Sequence, residues 1–137
     1  MKKVLLSGLL AGFAMLLVCM GLSSLVMKCC PTLISEYDNT SLYRSMKDPI
    51  TMLFSLHPFI LAMILAFVWD KSKSLFTAKR FLSKGMQFGL IYFVIVIPGL
   101  FISYITSPYS IEMVLSWAIS VLLGALVAGI CFEKINA

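Results

Sequence analysis

The chain has 137 residues, of which 61% are hydrophobic and 12% charged, with a mean hydropathy of +1.00. A soluble domain of this length carries roughly twice that charge, so the composition excludes one and leaves a single membrane domain with no length for a second. The net charge of +5 sits between apolar stretches, which argues for membrane orientation and against nucleic acid as a partner.

Four apolar segments, about 4–27, 50–69, 86–105 and 111–132, each have about the 20 residues that a helix needs to cross a hydrocarbon core. Backbone groups must pair internally in lipid, and the segments lack the alternation of barrel strands, so all four are predicted helices. The fold class expected is an all-α membrane protein, an up-down bundle of four transmembrane helices over residues 1–137. Lys2-Lys3 ahead of the first segment resemble the start of a signal peptide, but the apolar run is too long and no small-x-small site follows it. That segment is therefore read as the first span.

Eight lysines and arginines lie in the N-terminus, the connection 70–85 and the C-terminus, against three in the other two connections. The positive-inside rule then puts both termini and residues 70–85 in the cytoplasm, and the outer loop 28–48 outside. Integral, multi-pass insertion in a bacterial inner membrane is the localisation expected.

In chain order, the first helix carries Gly8-x-x-x-Gly12, a spacing that lets another backbone approach closely. The second repeats it as Ala62/Ala66, the third as Gly85/Gly89 and the fourth as Gly124/Ala128 and Ala125/Gly129. All fall in the cytoplasmic half, which predicts tightest packing there. The outer loop opens with Cys29-Cys30-Pro31, and is long enough to pack over the mouth of the helices. The adjacent thiols are open to a strained disulfide, a metal, acylation or no modification at all.

Asp48-Pro49 reads as an N-cap followed by proline at the first helical position. Pro58 falls inside the second helix and predicts a kink. His57, the only histidine, is then about 12 Å below the outer helix start. An ionisable residue at that depth faces the protein interior or a wet cavity, or else bonds a carbonyl that Pro58 frees. Residues 70–85, DKSKSLFTAKRFLSKG, place Leu75, Ala78 and Leu82 on one helical face with Phe76 and Phe81 beside it. Lys71, Lys73, Lys79, Arg80 and Lys84 supply the opposite surface, as in a short interfacial helix on anionic lipid, or in a basic loop that only fixes topology.

In the third helix, Pro98-Gly99 lies at a depth close to that of His57, which suggests a local opening, and Tyr104 marks the outer end. Ser107-Pro108 is expected to start the fourth helix, with Glu112 in its first turn, where the dipole favours an anion. Glu112, Ser116, Ser120, Gly124 and Ala128 form a row of small or polar residues suited to helix contact. The expected outcome is an outward cleft between the second, third and fourth helices, with His57 lining it, Glu112 or Arg44 at the rim and Tyr104 nearby.

The layout resembles the small multidrug transporters in outline. Those carry a membrane-embedded Glu in the first helix, where this chain has no acid. Nothing in the sequence requires a metal or cofactor, and it has no metal-protease, phosphate-loop or nucleophile motif. Three functional readings follow. The first is a non-enzymatic helix-packing subunit or homo-oligomer with a membrane-protein partner. The second is a binder or carrier of a small or lipid-like ligand near His57. The third is a membrane enzyme with His57 as base.

Overall fold

The computed structural model describes residues 1–45, 47–78 and 80–137. Lys79 and the side chain of Phe81, both assigned above to the basic connection, lie outside the described residues. The chain is all-helical: α1 (Lys2–Cys29), α2 (Thr32–Tyr37), α3 (His57–Ser72), α4 (Phe81–Thr106) and α5 (Ile111–Ile135), with 3-10 segments at Pro49–Leu56 and Lys73–Leu75. Four stretches, Lys2–Cys29, Pro49–Leu75, Leu82–Thr106 and Ile111–Ile135, are long and apolar enough to cross a membrane.

The long helices pack as a row. α3 lies on α1, α1 on α5 and α5 on α4, while α3 touches α5 only slightly. α3 and α4 are not packed along their lengths. They meet at one end, where Trp69 stacks on Phe76 at 5.4 Å and takes the edge of Phe88 at 5.3 Å. Phe88 in turn meets Phe132 of α5 at 5.9 Å. This Trp69 end holds the apolar core, with Ala11, Met15, Ala62, Leu65, Ala66 and Ala128 around the rings.

Small residues set the approach of neighbours, because lipid tails supply no hydrophobic drive between helices and close contact must do it. Cβ atoms added at Gly8 and Gly12 would run into Met63 and Phe59 of α3, the latter at 2.9 Å from the Phe59 Cα. At Gly89 a Cβ would lie 2.5 Å from the Ala125 carbonyl oxygen, and at Gly129 it would collide with the Gly85 backbone. Gly124 is different. An added Cβ there would meet only the mobile Met15 side chain, at 3.5 Å, so the closest crossing uses Gly85, Gly89, Ala125 and Gly129. Ala62, Ala66 and Ala128 are fully buried.

Three local expectations are corrected. Pro58 does not kink a continuous α-helix: it occupies the first turn of α3, and the eight residues before it form a 3-10 helix. Proline cannot donate the bond that would extend α-geometry back through Phe54, so the preceding residues close i→i+3 bonds instead. Among the described residues, 70–85 form no separate interfacial α-helix and match the basic-connection alternative: α3 runs on to Ser72, one 3-10 turn follows and α4 begins at Phe81. Gly85 belongs to α4 because it must meet Gly129. The N-cap of α5 is Ser110, whose Oγ accepts from the Met113 N–H at 3.1 Å, and Ser107 instead ends α4.

Candidate functional site

A recess of about 340 Å³ opens among the four long helices. Met15 and Cys19 of α1, Phe54 of the 3-10 segment, His57, Pro58 and Leu61 of α3, Tyr92 of α4, and Trp117, Ser120 and Val121 of α5 line it. The break at Pro58 places two of these groups: the 3-10 turn ends at Leu56, and the exposed ring of His57 stacks on Phe54 at 6.4 Å. Asp48 anchors the start of that segment. Its carboxylate accepts from the Ile50 N–H at 2.9 Å and from the Arg44 guanidinium at 3.1 Å, which together hold it below the usual carboxylate range.

The structure separates the residues expected to act with His57. Arg44 is exposed and bound to Asp48, so it braces a helix start instead of forming a rim. Glu112 and Tyr104 are exposed and line no part of the recess. Pro98 and Gly99 face outward, with nothing within 4 Å of a Cβ built at Gly99. The recess also takes two walls from α1, which the expectation omitted, and no carboxylate lies among its lining residues.

Tyr92 and Cys19 are the lining residues that sequence reading missed. Tyr92 was legible in part, as a polar-tipped aromatic in the middle of an apolar span. Cys19 resembles its aliphatic neighbours until α1 is placed against α3.

The loop between α1 and the 3-10 segment closes over the same end of the helices. Leu33 of α2 is 2% exposed. Glu36 Oε1 accepts from the Ser110 N–H at 2.9 Å, an anion at the start of α5, where the helix dipole favours it. The Trp117 indole N–H donates to the Tyr37 hydroxyl at 3.0 Å, and Tyr109 sets its edge 5.0 Å from the Trp117 ring. Tyr43 stacks between Tyr37 and Tyr109, at 5.5 and 5.8 Å. Among the described residues its buried hydroxyl has no hydrogen-bond partner of good geometry, and burial first, then the neighbouring Tyr109, Tyr37 and Glu36, push its ionisation well above the usual tyrosine range. Cys29 and Cys30, at the base of this loop, are free thiols.

A second polar group lies at the Trp69 end. The Trp69 indole donates to the Asn136 carbonyl at 3.0 Å, Asn136 Nδ2 donates to Asp70 at 3.1 Å, and Lys73 reaches both Asn136 and Asp70. Lys84 lies 3.5 Å from the buried Glu133 and 5.5 Å from the Trp69 ring centroid. Among the described residues no three His, Cys, Asp or Glu side chains gather in a metal-like cluster. No protein-family model, curated protein or solved structure matches the chain.

Proposed function

We propose that this is a non-catalytic multi-pass membrane protein that holds a small amphiphilic, lipid-like ligand in the recess beside His57. One observation carries the reading. A recess of about 340 Å³ with mostly apolar walls has the imidazole of His57 exposed to it. Apolar walls with a few polar groups suit a ligand with an apolar body and one hydrogen-bonding end. The aromatic cover of α2 and Tyr43 then limits access from the aqueous side.

The other reading is a subunit or homo-oligomer that works through helix contacts. The small-residue seams support it less than their number suggests. Gly8, Gly12, Gly85, Gly89 and Gly129 are taken up by helices of the same chain. An enzyme with His57 as base would need a second acid–base group beside it; the lining offers the Cys19 thiol and the Tyr92 hydroxyl but no carboxylate, and among the described residues neither is hydrogen-bonded to His57.

The topology that goes with this function has α1, α3, α4 and α5 alternating up and down, both termini cytoplasmic and residues 28–48 outside. The setting is the bacterial inner membrane. A cysteine at Ser74, in a background cleared of native cysteines, is expected to stay unlabelled by an impermeant thiol reagent on intact cells.

Binding is tested with a dansyl-labelled fatty acid in nanodiscs. The parent protein is expected to enhance its fluorescence saturably. His57→Leu should weaken binding about ten-fold through the lost hydrogen bond. Val121→Trp, which fills the recess, should abolish it while helicity is unchanged. Equal binding by all three proteins would return the function to helix contacts.

A further inference from the structure

A second hollow, of about 710 Å³, runs along the side where α3 and α4 stand apart. Its lining is graded. Leu65 and Val68 of α3 and Ile91 and Ile95 of α4 make the apolar part. Beside Leu75 and Phe76 near the connection between the helices, Ser72, Thr77 and Gln87 add hydroxyl and amide groups to the lining. That connection carries Lys71, one residue before Ser72, and Arg80, the N-cap residue of α4, both exposed. The cations nearby divide into two kinds. Lys73 is occupied by Asp70 and Asn136, and Lys84 by Glu133. Lys71 lies over the face of Phe67, at 5.8 Å, and among the described residues neither Lys71 nor Arg80 makes an ion pair.

We propose that the α3–α4 hollow is a binding site for an anionic phospholipid, with one acyl chain between Val68 and Ile91 and the phosphate at Lys71 and Arg80. The occupant is identified by three chemistries in order along the groove: apolar walls, then neutral hydrogen-bonding groups, then uncommitted cations. A phospholipid presents chain, glycerol ester and phosphate in the same order. A partner helix would match the apolar walls but has no need of a cationic end. In a bilayer the hollow cannot stay empty, and lipid is present at every moment after insertion. The site is distinct from the His57 recess. It rests on different residues, although Tyr92 borders both.

Trp69 supplies the readout. It is fully buried, stacks on Phe76 and meets Phe88 edge to face, and both rings line the hollow, so a chain in the groove lies one ring away from it. Trp117 is the chain's other tryptophan, and Trp117→Phe leaves Trp69 as the sole tryptophan, read by selective excitation. The protein is reconstituted in phosphatidylcholine vesicles containing a small fraction of phosphatidylglycerol, with bromine on the acyl chains of one lipid or the other. Brominated phosphatidylglycerol is expected to quench Trp69 well beyond its share of the bilayer. Lys71→Gln with Arg80→Gln should cut that preference by about five-fold per charge removed and raise the quenching by brominated phosphatidylcholine, which takes the vacated groove. Native mass spectrometry of the unmodified protein gives a second measure that does not depend on Trp117→Phe, with retained phosphatidylglycerol expected and its loss in the double variant. Quenching by the two lipids in proportion to their abundance overturns the proposal. So does a photo-crosslinker at Ile95 that captures a second copy of the chain instead of lipid.

Discussion

The glycines divide by what faces them. At Gly129 an added side chain meets the Gly85 backbone, which cannot turn aside, whereas at Gly124 it meets the flexible end of Met15. Gly129→Leu is therefore expected to destabilise the protein by about 2 kcal/mol or more, and Gly124→Ala to stay within about 0.5 kcal/mol of the parent. Thermal unfolding in one detergent compares them. Tyr43 is the second residue whose surroundings make a prediction. Its buried hydroxyl has no well-formed partner among the described residues, so Tyr43→Phe is expected to be neutral or to stabilise by about 1 kcal/mol. Its ionisation is raised in the folded state, so its contribution is complete below the ordinary tyrosine value of about 10 and is lost as pH rises through the raised folded value. The outer cover should loosen only in that alkaline range. Amide exchange at Leu33 against pH measures it, and Tyr43→Phe should move the onset to higher pH.

Among the elements, the entry to α3 depends most on one side chain. Pro58 withholds the N–H that would bond to the Phe54 carbonyl, and Pro49–Leu56 is a 3-10 helix for all eight of its residues. At about 2.0 Å per residue instead of 1.5 Å, such a segment is about 4 Å longer than the same residues in an α-helix. That extra reach carries Asp48 outward and turns Phe54 against His57. Pro58→Ala is expected to let α-geometry propagate back toward Pro49, shorten the segment by about 4 Å and withdraw Phe54 from the recess. Electron paramagnetic resonance distances between labels at Thr51 and Ser74 would read the shortening. Dansyl–fatty acid affinity should fall in the same variant. By residue spacing, the basic stretch after α3 fits an interfacial helix and a plain connection equally well, and the structure has the connection. The competing demand was that α4 begin early enough to carry Gly85 to Gly129.

Across the whole molecule, stability at the Trp69 end depends on one pair with little water around it. Lys84 and Glu133 are 3.5 Å apart, with side chains 19% and 10% exposed, and they link the start of α4 to the end of α5. Removing one partner leaves a buried charge, which costs more than the pair contributes. Lys84→Met alone is expected to destabilise by about 3 kcal/mol or more, and adding Glu133→Leu should recover most of that loss. Thermal unfolding of the two single variants and the double variant gives the coupling. The outer end is held differently, by the Glu36 contact to Ser110, the Tyr37 contact to Trp117 and stacked rings, so loss of the Lys84–Glu133 pair should leave the dansyl–fatty acid site intact.

Length and hydropathy alone determined four helices able to cross a membrane, because lipid leaves the backbone no other economical way to pair its polar groups. Asp48 as a cap and the close-packing character of Gly8, Gly12, Gly85 and Gly89 were also legible, since each follows from local chemistry or a fixed helical spacing. The partners of His57 were not. Depth along a helix can be counted from sequence, but rotation about the axis and the order of helices in the row cannot. Those two unknowns decide that Cys19 and Tyr92 line the recess while Glu112 and Tyr104 turn outward. The tertiary structure alone decided that α3 and α4 stand apart. That separation follows from which pairs of small residues meet, and the apolar composition of the two helices fits a packed interface and a lipid-facing hollow equally well.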